Sequence, residues 1–132
     1  MTLLNLTHHP SAGWAEHQRN AASRLFPTGT SITITDYPFP QVDAQATTEA
    51  VDQLADDLAN DISLRYAPNA TVVHLMGEMT LVVALVARLQ GLGYRVVAST
   101  TERVVQQLSI SERKLLFNFV AFREYAPLYT AV

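Results

Sequence analysis

Residues 70–76, Ala-Thr-Val-Val-His-Leu-Met, form a nearly continuous apolar run of strand length, bounded by Pro68-Asn69 before it and Gly77 after it. A strand without regular polar alternation has to be covered on both faces, which places it at the centre of a sheet between helical layers. The other segments must then supply the neighbouring strands and the covering helices.

The flanking sequence fits that demand. Thr2 to Thr7 is a short apolar strand that runs into His8-His9-Pro10-Ser11, where proline stops the strand and serine can cap a helix. Trp14 to Leu25 reads as a modestly amphipathic helix, ended by Pro27-Thr28-Gly29. Ser31 to Thr35 alternates β-branched apolar and polar residues, as in a half-buried strand near an edge. Asp36 to Asp43 holds two prolines and is a loop. Thr47 or Thr48 opens a long helix to about Tyr66, with Val51, Leu54, Ala55, Leu58 and Ile62 on one face. Asp52, Asp56, Asp57 and Asp61 fall largely on the opposite, solvated face. After the central strand, Leu81 to Leu92 is an apolar helix with Arg88 as its one charge, and Tyr94 to Ser99 is the next strand.

Strand and helix therefore alternate, and right-handed crossovers convert that alternation into a parallel sheet. The expected fold is α/β, a Rossmann-like three-layer sandwich with strand order 2-1-3-4. Beyond Ser99 the pattern changes. Glu102 to Leu108 fits a short helix or a strand, whereas Leu115 to Tyr125 reads as a strand. Phe117, Phe119 and Ala121 are expected on one side of it, and Leu116, Asn118, Val120 and Phe122 on the other. A hairpin through Ser109 to Lys114 would set this strand antiparallel on the sheet edge or at a dimer contact.

Composition narrows the function. With 132 residues, 48% of them hydrophobic, the chain is expected to form one domain over residues 1–132. A formal net charge of −3 argues against a protein that coats duplex DNA, which would need surplus lysine and arginine. The absence of cysteine excludes disulfides, thiolate zinc sites and cysteine nucleophiles. Neither a secretory signal nor an apolar run long enough for a membrane is found, so a cytoplasmic protein is expected.

Ligands of open α/β sheets bind beyond the carboxyl ends of the strands, near the point where strand order reverses. Thr7 to Ser11, Asp36 to Asp43, Met76 to Thr80 and Ser99 to Arg103 are the expected strand-to-helix exits, and most polar side chains outside the helices fall in them. His8 and His9 can donate or accept a proton near neutral pH, or merely bond the loop backbone. A zinc site from these two with His74 matches no ligand spacing. Gly77 precedes a helix whose first amides can face an anion, with Met79 and Thr80 opening that helix. Glu78 would repel a phosphate if it pointed inward, and can instead cap the helix or hold a ribose hydroxyl. Ser99, Thr100, Thr101 and Arg103 make a phosphate or ribose contact set, or else a helix cap followed by a surface arginine. The dinucleotide and Walker patterns are both missing, so no NAD or ATP site is expected.

The strand ending Asn5-Leu6-Thr7, the central apolar strand with its glycine turn, and the Met79-Thr80 start of an apolar helix together resemble the CRISPR-associated Rossmann-fold (CARF) domains, over about residues 2–103. They are most similar to the small stand-alone ring nucleases. Those proteins carry a Gly-Gly-Thr type turn where this chain has Met76-Gly77-Glu78-Met79-Thr80. The resemblance implies a symmetric homodimer with one pocket for a cyclic oligoadenylate, tetra- or hexa-adenylate. It further implies metal-independent cleavage of the ring without a cofactor, leaving a 2′,3′-cyclic phosphate, or else a sensor that binds without cutting. It assigns His8 or His9 as base or acid, and Arg103 with the Gly77 to Thr80 amides as phosphate contacts. Thr7, Ser11, Ser99 and Thr100 would hold ribose or phosphate oxygens.

Overall fold

The computed structural model describes residues 1–128. Five strands form one sheet: β1 (Thr2–Leu6), β2 (Thr33–Asp36), β3 (Thr71–Leu75), β4 (Arg95–Gln107) and β5 (Arg113–Glu124). Their order is β2-β1-β3-β4-β5, parallel except for the antiparallel β4–β5 pair. Three helices accompany them: α1 (Glu16–Ser23), α2 (Thr48–Arg65) and α3 (Met79–Gly91). The fold is mixed α/β and compatible with a Rossmann-like arrangement.

β3 is buried at every position, as its unbroken apolar character requires. On one face, Leu4, Leu6, Val73, Leu75 and Val96 pack against the apolar stripes of α2 and α3 in the larger core. The opposite face carries the smaller cluster of Leu3, Val72 and Val97, covered by Ala22 of α1 with Trp14 and Phe122 alongside. Thr47 caps α2 by accepting the Ala50 amide at 3.1 Å. The acidic side of α2 is solvated, yet partly paired: Asp56 accepts from Arg88 of α3 at 2.6 Å, and Asp61 from Arg65 at 2.9 Å. No helix among the described residues is long and apolar enough to cross a membrane.

Three expectations are corrected. The first helix begins at Glu16, not Trp14, because residues 11–13 form a 3₁₀ turn and Trp14 is extended, which turns its indole onto the sheet. The Ser99 to Arg103 exit is no loop before a helix: β4 continues through it to Gln107, paired throughout with β5. Thr100, Thr101, Val104 and Val105 are β-branched residues that favour a strand, and β5 is present to satisfy the backbone of this segment. Finally, Phe122 is not opposite Phe119. The register slips between Thr100 and Thr101, leaving Val120 unpaired, and a one-residue slip transfers side chains to the other face. The two rings meet with centroids 5.0 Å apart.

Candidate functional site

β1 leads to β2 on one side of the sheet and β3 leads to β4 on the other, so the strand order reverses between β1 and β3. A crevice of about 640 Å³ opens there, over the carboxyl ends of the parallel strands on the α1 side. Thr7, Met76, Ser99 and Thr101 form its sheet wall. Trp14, just before α1, and His17, in its first turn, face them, and Phe117 to Phe119 of β5 close the far end. A second lobe of about 470 Å³ shares Thr7, His9, Met76 and Phe117 with the first and adds His8 and Gly77.

The floor is fixed by Asn5, a buried amide in the central part of the sheet. Its nitrogen donates to the His9 carbonyl at 2.8 Å and to Asp36 Oδ1 at 2.9 Å. Both partners only accept, so the amide orientation is determined. Its oxygen then receives the Thr7 hydroxyl at 3.0 Å and lies 2.9 Å from His74 Nδ1, which must carry the ring proton. Burial, followed by the charge of His9, pulls the His74 pKa down to about 4, so the ring is neutral at pH 7. Its Nε2 is buried without a partner. Asp36 lies below the usual carboxylate range, chiefly because Asn5 donates to it; burial opposes this, and the Ser11 amide and hydroxyl together with the charge of Arg19 add to the lowering.

The residues expected at the site divide as follows. His9 lines both lobes, whereas His8 lines only the second and packs its ring against Phe39, centroids 5.1 Å apart. Thr7, Ser99 and Thr101 line the crevice, but the Thr7 hydroxyl is already committed to Asn5 and to the His9 backbone. Ser11 is bound to Asp36 through its amide at 3.0 Å and its hydroxyl at 3.2 Å. The Thr100 hydroxyl replaces a ladder partner at the bulge, donating to the Ala121 carbonyl and accepting its amide, both at 3.1 Å. Arg103 pairs with Phe117 across the hairpin and is not part of the crevice wall. It stands two residues past Thr101, about 7 Å further along the strand.

At the turn before α3, the capping alternative for Glu78 is the one the structure shows. Glu78 is the helix cap: its carboxylate accepts the Thr80 amide at 3.0 Å, the Leu81 amide at 2.9 Å and the Thr80 hydroxyl. These bonds hold Glu78 below its ordinary pKa, the Thr80 hydroxyl contributing most. The helix end therefore already faces an anion, the chain's own, and the Thr80 amide is not free to hold a phosphate. Met79 is largely exposed beside it. Gly77 answers to packing, since a Cβ there would come within 2.5 Å of the buried Phe39 ring. Gly77→Ala is expected to lower stability by about 1–3 kcal/mol through overpacking. In urea unfolding, the double variant Phe39→Leu/Gly77→Ala should lose less than the sum of the two single changes.

Sequence reasoning missed Trp14, His17, Phe117 and Phe119 as site residues. His17 Nε2 donates to the Phe119 carbonyl at 2.7 Å, joining α1 to β5. The legible signal was the aromatic content of the last strand, but its position over the crevice follows only from the hairpin. Among the described residues no three His, Asp or Glu side chains converge as metal ligands.

The family described as "Uncharacterized protein MJ1673 family" matches residues 1–123. No curated protein and no solved structure matches the chain.

Proposed function

The chain belongs to the MJ1673 family, and we propose that it is a cytoplasmic enzyme that binds a cyclic oligoadenylate, the tetra-adenylate first, and opens the ring without a metal, ending CRISPR type III signalling. The observation that carries this reading is the crevice at the strand-order reversal, which sets aromatic faces and imidazoles against a row of hydroxyls. Aromatic side chains stack bases, hydroxyls bind ribose, and imidazoles move protons near neutral pH. In the reaction a ribose 2′-oxygen bonds to the adjacent phosphorus, the P–O5′ bond breaks, and the 2′-hydroxyl proton ends on O5′. The products are a linear chain with a 2′,3′-cyclic phosphate end. His9 transfers the proton, with His8 in the adjoining lobe. Arg103, just beyond Thr101, meets the phosphorane charge, and Ser99 and Thr101 hold ribose.

By the resemblance to CARF domains, the site is a shared one, built as a Rossmann-like three-layer domain facing its copy in a homodimer. Phe117 at the crevice, and Met79 and Val83 on α3, are exposed apolar side chains of the kind a second copy would cover. The wild-type protein should convert labelled cyclic tetra-adenylate to linear product in excess EDTA, and His9→Ala should slow this at least about a hundredfold. Full activity of His9→Ala removes its role. Return of intact ring by wild type that binds it establishes the second reading, a sensor, which the place of Arg103 outside the wall favours.

A further inference from the structure

His74 is a histidine in the most buried strand of the sheet, only 3% exposed, and Nε2 is the one buried side-chain nitrogen or oxygen among the described residues without a partner. Such an atom costs stability unless something else uses it. Asn5 holds the proton on Nδ1, so Nε2 presents a bare lone pair and can only accept. The ring lines the crevice. Trp14 stands edge-on to it with centroids 5.5 Å apart, and Phe122 at 5.1 Å. Phe119 adjoins Phe122, so this end of the crevice is aromatic and holds no cationic side chain suited to a phosphate.

We propose that Trp14 and His74 form the base subsite of the crevice, in which a purine stacks on the indole and its exocyclic amine donates a hydrogen bond to His74 Nε2. This rests on the reading of the crevice as an adenylate site and names what would select adenine within it. Adenine carries an amine at C6 and satisfies the lone pair. Hypoxanthine carries an oxygen there and sets acceptor against acceptor, leaving both buried and unpaired. Nε2 is covered in this structure, so a base reaches it by displacing the edge of the Trp14 indole, which is half-buried against the smaller core and lies before the first residue of α1.

Trp14 is the only tryptophan, so its fluorescence reports the subsite directly. The full chain is titrated with AMP, IMP, N6,N6-dimethyl-AMP, and the cyclic tetra-adenylate and tetra-inosinate rings, with calorimetry alongside. Wild type is expected to bind AMP and the adenylate ring about tenfold or more tighter than their inosine and dimethyl counterparts. His74→Phe should abolish that preference and His74→Gln, which keeps an acceptor, should restore part of it. The dimethylated nucleotide tests the contact in unaltered protein should His74→Phe not fold. Equal affinity of wild type for the adenine, inosine and dimethyl ligands overturns the subsite while leaving ring binding intact. A preference for AMP without binding of either ring supports the subsite and sinks the ring reading. Binding of no purine at all overturns both.

Discussion

Replacing Asn5 by alanine is expected to cost about 3–4 kcal/mol of stability, more than any single apolar contact at this end of the sheet would suggest. Asn5 is 1% exposed and serves four partners at once: the His9 carbonyl, Asp36, Thr7 and His74. Removing the amide strands the His74 Nδ1–H inside the protein and takes from Asp36 the bond that most depresses its pKa. A buried polar group left without its partner costs about 1–3 kcal/mol, and here more than one is left. Thr7→Val removes the hydroxyl's bonds to Asn5 and to the His9 backbone but leaves the Asn5 contacts to Asp36, His9 and His74, and should cost only about 1–2 kcal/mol. Urea unfolding measures both, and the Asp36 carboxyl, followed by NMR, should titrate higher in Asn5→Ala than in wild type. A loss for Asn5→Ala no larger than that for Thr7→Val would mean the network adds nothing beyond its separate bonds.

The strands and helices that make their own case locally were legible in the sequence. β3 needed no context, because a nearly continuous apolar run of strand length between a proline and a glycine has few other uses. α2 declared itself by a threonine cap and an apolar stripe. Features settled by a distant partner were not legible. Whether 102–107 is helix or strand is decided by β5, which lies across a hairpin, and the bulge at Val120 has no local signature. The same holds for the site. Gly77 carried an ambiguous signal, and only the Phe39 ring, from a loop far back in the chain, explains it. Glu78 was compatible with cap or ligand contact, and the choice depends on a carboxylate rotamer. Asn5 and His74 were read as members of apolar strands. The usable clue was that two polar side chains sat in strands destined for burial, where each must find a partner.

Lowering the pH from 7 to about 4 is expected to remove about 3 kcal/mol of stability through His74 alone. Burial, together with the charge of His9, brings its folded pKa to about 4, against 6.5 for an unperturbed histidine. Between those values the unfolded chain binds the proton and the folded chain does not, so stability rises with pH across the window and falls on acidification. The contribution is complete above pH 6.5 and gone once the pH has passed through the folded value. Asp36 and Glu78 have depressed pKa values, so their contributions are lost only at lower pH, as it falls below their ordinary values near 4. The slope between pH 6.5 and 5 therefore isolates the histidine from these carboxylates. Asn5 cannot follow the ring into its charged form, because its one free acceptor is already bound to Nδ1, while Trp14 and Phe122 offer Nε2–H no acceptor lone pair. Urea unfolding of wild type and His74→Phe at several pH values separates this term from every other titration. The variant should show a flatter dependence in that interval, and an identical slope in the two proteins would show that the ring is not held neutral by its surroundings.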